Sequence, residues 1–275
     1  MQPPSNQGGQ DKPMKPAFID PRAILAANVT LGHGSVISGP AQIASGVIIG
    51  HHVTIEGDVH IGENTRIGHH SVIEGPTRIG ANNQFYPFCS IGLRAQHPDF
   101  HGEGGALIIG EHNVFREFIT LNRSTYEAET IIGSRNYLMA YSHVAHDCRV
   151  GNDNKLANGA TLAGHVVLGN ACYLGLHAIV HQRLAVGDLC MVGMNETITR
   201  NLPPYAVLAG GRFVKLNTRG MILRGLSEQE IRGVEARYRN GVSDSPASVG
   251  QAAIDVFLAS FHAGGCYRYE RARSS

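Results

Sequence analysis

Residues 43–79 read IASGVIIGHHVTIEGDVHIGENTRIGHHSVIEGPTRI, with isoleucine at every sixth position from Ile43 to Ile79. Outward from this stretch the period holds without a break, back through Ile37, Leu31 and Leu25 to Ile19 and forward to Phe85 and Ile91. A second series runs from Ile132 through Leu138, Val144, Val150, Leu156, Leu162, Leu168, Leu174, Val180, Val186 and Val192 to Ile198. Ile109, Phe115 and Leu121 carry a shorter piece between the two. Neither a 3.6-residue helix nor a simple period-two strand gives six. A coil with three flat sides of six residues does: each side is a short strand, each corner a turn, and one aliphatic side chain per side fills a narrow prism. Glycine often follows the aliphatic residue, and a small side chain comes four positions after it, as at Ala23, Ser35, Ala41, Thr65, Ser71, Ala160 and Ala178. Cys89, Cys148, Cys172 and Cys190 share that small position, so they read as buried packing residues rather than redox groups. Only Cys266 falls outside the pattern.

Composition agrees. Of 275 residues, 34 are glycine and none is tryptophan, as a core of small aliphatic layers requires. Lys+Arg at 23 against Asp+Glu at 22 gives no global electrostatic case for a nucleic-acid partner. No apolar run approaches the roughly 18 residues of a membrane helix. Residues 1–15 lack the apolar stretch of a secretory signal and read as a disordered tail. The scattered, odd-numbered cysteines fit a reducing, cytoplasmic setting.

Two stretches break the repeat, residues 93–106 (LRAQHPDFHGEGGA) and 122–130 (NRSTYEAET). Insertions into a solenoid become projecting loops, often on the binding face. The coil is expected over 16–210, and a small helical domain over 211–275. Ser227-Glu228-Gln229-Glu230 has the form of a capping box ahead of Ile231, Val234 and Tyr238. Ser245-Pro246 is expected to open a second helix carrying Val249, Ala253, Val256, Phe257 and Phe261, closed by Gly264-Gly265. These helices would cap the open end of the prism.

Three sides make 18 residues per turn, so residues 18 apart stack about one strand spacing, ~4.8 Å, from each other. One column then holds His146, Gly164 and Gln182, and the next sets Asp147 beneath His165. A histidine, a bare glycine backbone and a carboxylate converge within two coils, a set that can supply a base, an N–H donor for an oxyanion and an orienting group. His33, His51 and His69 are also 18 apart, as are His52 and His70. No Asp, Glu or Cys completes a metal set in those columns, so they read as polar ladders, exposed or facing another subunit.

The six-residue pattern resembles that of the hexapeptide-repeat acyltransferases, whose fold is a left-handed parallel β-helix. The handedness comes from the resemblance, because parallel crossovers are usually right-handed. Within that superfamily, His143-Val144-Ala145-His146-Asp147-Cys148, Leu156-Ala157-Asn158, Thr161-Leu162-Ala163-Gly164-His165, His181-Gln182, Pro203-Pro204-Tyr205 and Arg224-Gly225 resemble the UDP-N-acetylglucosamine 3-O-acyltransferase family. The likeness covers residues 16–240.

It implies that His146 is the general base on the sugar 3-hydroxyl and that Asp147 supports it. The Gly164 N–H would stabilise the oxyanion formed on the thioester of a 3-hydroxyacyl carrier protein, in the first step of lipid A synthesis. His143, His165, His181 and Gln182 would position substrate, with Asn217 and Arg224 near nucleotide or phosphopantetheine. The resemblance further implies a homotrimer with sites between neighbouring prisms, and no metal or dissociable cofactor. Met194 stands where long-chain members carry glycine, implying an acyl-chain ruler set for about ten carbons.

Two departures bear on the acceptor. Gln96-His97-Pro98-Asp99 replaces the family's Gln-Asp-Leu-Lys, so His97 and Asp99 stand where residues touch the sugar nucleotide. Asn122-Arg123-Ser124-Thr125 replaces an Arg-Gly-Thr ending, making Asn122 a further candidate contact. A paralogue acting on a different, amino sugar nucleotide is therefore the alternative enzyme, and a non-catalytic trimeric scaffold the alternative outside catalysis. Arg212, Lys215, Arg219, Arg224, Arg232, Arg237 and Arg239 outnumber the acidic residues of 212–239, which suits docking of an acidic carrier protein.

Overall fold

The computed structural model describes residues 16–98, 100, 102, 104–240, 249–261 and 265–266, so the amino-terminal tail and Asp99 lie outside the described residues. Three sheets, parallel except for the last strand of face C, form the sides of one prism. Face A has ten strands, from Phe18–Ile19 to Thr197–Ile198, and face B has nine, from Ile24–Leu25 to Ala185–Val186. Face C has eleven, from Thr30–Leu31 to Arg212–Leu216. The register is the 18-residue step: Ile55 lies beside Ile73 and Ile73 beside Ile91 on face A, while Ile49, Ile67 and Phe85 align on face C. Most strands are only two residues long, one pointing in and one out. The inward residues are those of the repeat, with Ile37, Ile55, Ile73, Ile91 and Leu121 all at most 1% exposed. Phe85 and Phe115 fit inside because their rings stack at 4.5 Å.

Corners follow a local rule. The third residue after the inward aliphatic adopts a left-handed conformation, with φ of 54° at His52, 58° at Asn64, 60° at Asp147 and 59° at His165. A side chain there costs about 1–2 kcal/mol relative to ordinary backbone. The next residue is the small one, which turns inward and satisfies corner amides. Ser35 Oγ donates to the Gly50 carbonyl (2.7 Å) and accepts from Val53 N–H (3.1 Å). At the corner between faces B and C asparagine takes this position. Asn83, Asn113, Asn136 and Asn154 form a buried ladder in which each Oδ1 accepts the amide of the next coil at 2.8–2.9 Å. The four repeat cysteines are buried as expected, and burial pushes the Cys89 and Cys148 thiols up to about 12.

The carboxyl-terminal part differs from expectation in three ways. The coil does not simply stop at 210: Ala206–Ala209 and Arg212–Leu216 form an antiparallel hairpin that extends face C, turning at Gly210-Gly211. A short helix, α1 (Thr218–Leu223), follows, with Asn217 at its cap. Helix α2 (Glu228–Asn240) starts at the expected capping box, with Ser227 N–H donating to Glu230 Oε2 at 2.7 Å and Glu230 N–H to Ser227 Oγ at 3.3 Å. Helix α3 (Val249–Phe261) buries Ile254 and Phe257 but leaves Val256 67% exposed. The expected apolar face is thus shifted, because at 3.6 residues per turn Val256 points about 200° away from Ile254. Ser245-Pro246 and Gly264, and the side chains of Val249 and Phe261, lie outside the described residues. No helix among the described residues is long and apolar enough to cross a membrane.

Candidate active site

The site is built on the corner where face A turns into face B. His143–Val144 is a face A strand, and Val144 and Cys148 point inward, which leaves Ala145, His146 and Asp147 to form the turn. The left-handed backbone at Asp147 lets its amide donate to Thr130 Oγ1 at 2.7 Å, and its carboxylate is 0% exposed. His146 Nδ1 lies 2.7 Å from Asp147 Oδ2, and His165, one coil on, brings its Nε2 to 3.4 Å from the same oxygen.

The second insertion folds over this pair. Thr125 Oγ1 donates to Asp147 Oδ2 at 2.5 Å, while the amides of Thr125 and Glu127 donate to Oδ1 at 2.9 and 3.0 Å. Burial works to raise the Asp147 pKa, but these hydrogen bonds and the His146 contact outweigh it and hold the carboxyl down at about 2. Burial lowers the His165 pKa, with Asp147 pulling the other way, and burial also lowers that of His143.

Gly164 lies directly under the His146 ring. A Cβ built on it would fall 2.7 Å from Cε1 and 2.8 Å from Nε2, so only glycine leaves the imidazole in place. The Gly164 carbonyl accepts from Arg183 N–H at 2.9 Å, whereas its own amide has no acceptor among the described residues. His143, on the outward side of face A, pairs through Nδ1 with Thr120 Oγ1 at 2.7 Å. His181 and Gln182 are exposed two coils beyond.

The first insertion reaches the same place. His97 stands edge-on to His146 at 5.7 Å and to Tyr126 at 6.0 Å, and Tyr126 stacks on His165 at 6.0 Å. His97, His143, His146, Asp147, Gly164 and His165 are therefore brought together within one chain. Besides His181 and Gln182, two coils beyond, four other expected residues are not. Asn122 is 3% exposed and donates to the carbonyls of Leu93 and Arg94, so it ties the insertions together instead of facing the cleft. Asn217 caps α1 and donates to the Leu189 carbonyl at 2.8 Å, and Arg224 lies 3.5 Å from Asp153; both sit at the corner between faces B and C. Met194 is 65% exposed at the corner between faces C and A.

Thr120, Thr125, Tyr126 and Thr130 were not singled out from the sequence. The signal for Thr125 and Tyr126 was the second insertion itself, since a break in a solenoid one coil before a polar corner falls beside that corner.

Among the described residues, His146, Asp147 and His165 form a set of three whose ligand-type atoms lie within 4.8 Å of one another. The oxygen they share is already taken by Thr125 and His146, the arrangement of an oriented acid–base pair. The His33/His51/His69 ladder is also accounted for. His33 N–H donates to His51 Nδ1 at 2.9 Å and His51 N–H to His69 Nδ1 at 2.7 Å, so the inner ring nitrogens serve the backbone.

The family model for bacterial transferase hexapeptide (six repeats) matches residues 40–75 and 129–164. An acyl-(acyl-carrier-protein)–UDP-N-acetylglucosamine O-acyltransferase from Verminephrobacter eiseniae is 36% identical over 203 residues, 68% of this chain and 78% of the relative. One of the same name from Halorhodospira halophila is 41% identical over 161 residues, 57% of this chain and 62% of the relative. The structure of LpxA from Acinetobacter baumannii is similar at a TM-score of 0.70 and 33% identity, covering 89% of both chains. That of UDP-N-acetylglucosamine O-acyltransferase from Moraxella catarrhalis is similar at a TM-score of 0.75 and 30% identity, covering 94% of this chain and 99% of the other.

Proposed function

The chain belongs to the acyl-carrier-protein-dependent UDP-N-acetylglucosamine O-acyltransferases, and on that premise we propose that it moves a 3-hydroxyacyl group from acyl carrier protein to the 3-hydroxyl of UDP-N-acetylglucosamine, the first step of lipid A synthesis. The observation that carries the chemistry is the His146 imidazole, braced by Asp147 through Nδ1 and lying against Gly164. Asp147 is an ionised acceptor, so the proton between the two sits on Nδ1 and Nε2 is left basic. Nε2 takes the proton of the sugar hydroxyl as its oxygen attacks the thioester carbon. The Gly164 amide donates to the resulting oxyanion. Collapse breaks the C–S bond, and the imidazolium returns its proton to the departing phosphopantetheine sulfur. The carrier brings the acyl group already activated, so this route uses no metal or dissociable cofactor.

Assembly as a homotrimer is supported by the outer surface. His52, His70, Phe88, Phe118 and Tyr141 stack ring on ring at 5.0–5.2 Å along the corner between faces C and A. Phe88, Phe118 and Tyr141 are 47%, 44% and 63% exposed, and each holds a left-handed backbone that suits smaller residues. An apolar stripe with a strand-spacing repeat matches another copy of the same coil. A neighbour also offers a route for Asn217, Arg224 and Met194, remote from His146 in their own chain, to reach a site. Exposed Lys215 and Arg219 support docking of an acidic carrier, whereas Arg237 is itself buried and is spent on an ion pair with the partly exposed Asp255.

His97 beside His146, in place of the family's aspartate, favours a different sugar nucleotide as the second reading. Purified protein assayed with hydroxyacyl carrier protein and UDP-N-acetylglucosamine tests both. His146→Ala should lower kcat by about 10²–10⁴-fold, the usual worth of a general base. Undiminished transfer by that variant removes the base, and transfer only to another UDP-sugar establishes the second reading.

A further inference from the structure

We infer that the second insertion is a carboxylate clamp and that Thr125 is a positioning residue, fixing Asp147 so that His146 keeps its proton on Nδ1 and turns a bare Nε2 to the cleft. This rests on the general-base reading of His146 and adds what decides the state of that base.

Asp147 has two imidazoles to choose between, His146 Nδ1 at 2.7 Å and His165 Nε2 at 3.4 Å from the same Oδ2. A carboxylate free to rotate would share itself between them and leave the His146 ring loosely held. The clamp prevents this from both oxygens. Oδ1 sits in a nest of successive amides, from Thr125 at 2.9 Å, Tyr126 at 3.3 Å and Glu127 at 3.0 Å. Ser124 Oγ closes that turn by donating to the Glu127 carbonyl at 2.8 Å. Oδ2 is set by the Thr125 hydroxyl at 2.5 Å.

The same hydroxyl also reinforces the tautomer that the held carboxylate sets, by donor counting. Ionised Oδ2 only accepts, and the Thr125 hydroxyl spends its single proton on it. Thr125 Oγ1, 3.2 Å from His146 Nδ1, can therefore only accept from that nitrogen. Nδ1 faces two acceptors and must carry the proton, which leaves Nε2 as the base. The clamp is rooted in buried residues: Asn122 donates to the Arg94 carbonyl at 3.0 Å, and Arg123 hydrogen-bonds the Gly75 carbonyl.

The test compares Thr125→Val, which removes the hydroxyl at nearly constant shape, with Thr125→Ser, which restores it, in the acyl-transfer assay. Thr125→Val should lower kcat about 10- to 100-fold, part of the worth of a general base, with KM within about twofold. Thr125→Ser should return kcat to within about threefold of the parent. The ¹⁵N shifts of the His146 ring at neutral pH should show the Nδ1-protonated form in the parent and Thr125→Ser, and a mixture in Thr125→Val. Parental kcat in Thr125→Val overturns the inference, as does a loss that serine does not reverse or that leaves the tautomer unchanged. If His146→Ala is inactive while Thr125→Val is unaffected, only this inference falls. If His146→Ala remains active, the base reading falls with it.

Discussion

Gly164 shows how a single hydrogen atom can decide chemistry. Its missing side chain leaves room for the His146 ring, which a methyl group would meet at 2.7 Å. Gly164→Ala keeps the amide donor, so any effect reports the position of the base. The ring would have to move by a few tenths of an ångström or more, and displacements approaching 1 Å cost on the order of 10²-fold in rate. A kcat reduced at least about tenfold, with the thermal midpoint within a few degrees of the parent, is the expected outcome; an unchanged kcat would mean that the ring has slack. Much of this site was legible beforehand. His146, Asp147, Gly164 and His165 follow from an 18-residue stacking rule that needs no coordinates. Thr125 does not, because its place depends on how a non-repeating loop folds back.

At the scale of the element, corners of this coil solve one problem with two residue types. At the corner between faces B and C, Asn152 Oδ1 accepts from Ser134 N–H at 2.7 Å and Asn170 Oδ1 from Asn152 N–H at 2.8 Å. At the corner between faces C and A, His51 and His69 do the same through Nδ1. The exchange adds a titration. The His51 pKa is lowered by desolvation and by the neighbouring His69 and His33. An unfolded chain takes up that proton first as pH falls through about 6.5, so the fold loses stability at His51 on acidification. His51→Asn should retain the hydrogen bond without the titration. Its thermal midpoint should fall less than the parent's between pH 7.5 and 5.5, and equal slopes would rule the ladder out as a source of acid sensitivity.

For the whole molecule, the prism is one-dimensional: each coil touches the coils above and below it. Its length sets the register of everything on its surface, including the aromatic ladder from His52 to Tyr141. Introducing charge there, with Phe118→Glu and Tyr141→Glu together, should leave the coil folded by circular dichroism. On the proposed trimeric assembly, it should move the mass measured by light scattering from trimer toward monomer and lower kcat/KM. A double variant that remains fully trimeric would place the seam elsewhere.

The division between sequence and structure follows from what repeats. The coil, its three faces, the inward aliphatics, the buried cysteines and the stacked His146, Asp147, Gly164 and His165 all obey one local period, so the sequence alone determined them. The capping box of α2 was also legible, because it is written within four residues. The clamp of Thr125 on Asp147, the reach of His97 to His146, the burial of Asn122 and the exposure of Val256 were decided only by the tertiary structure. Each depends on contacts between segments that share no period, where the energy of a distant surface and not the local pattern selects the conformation.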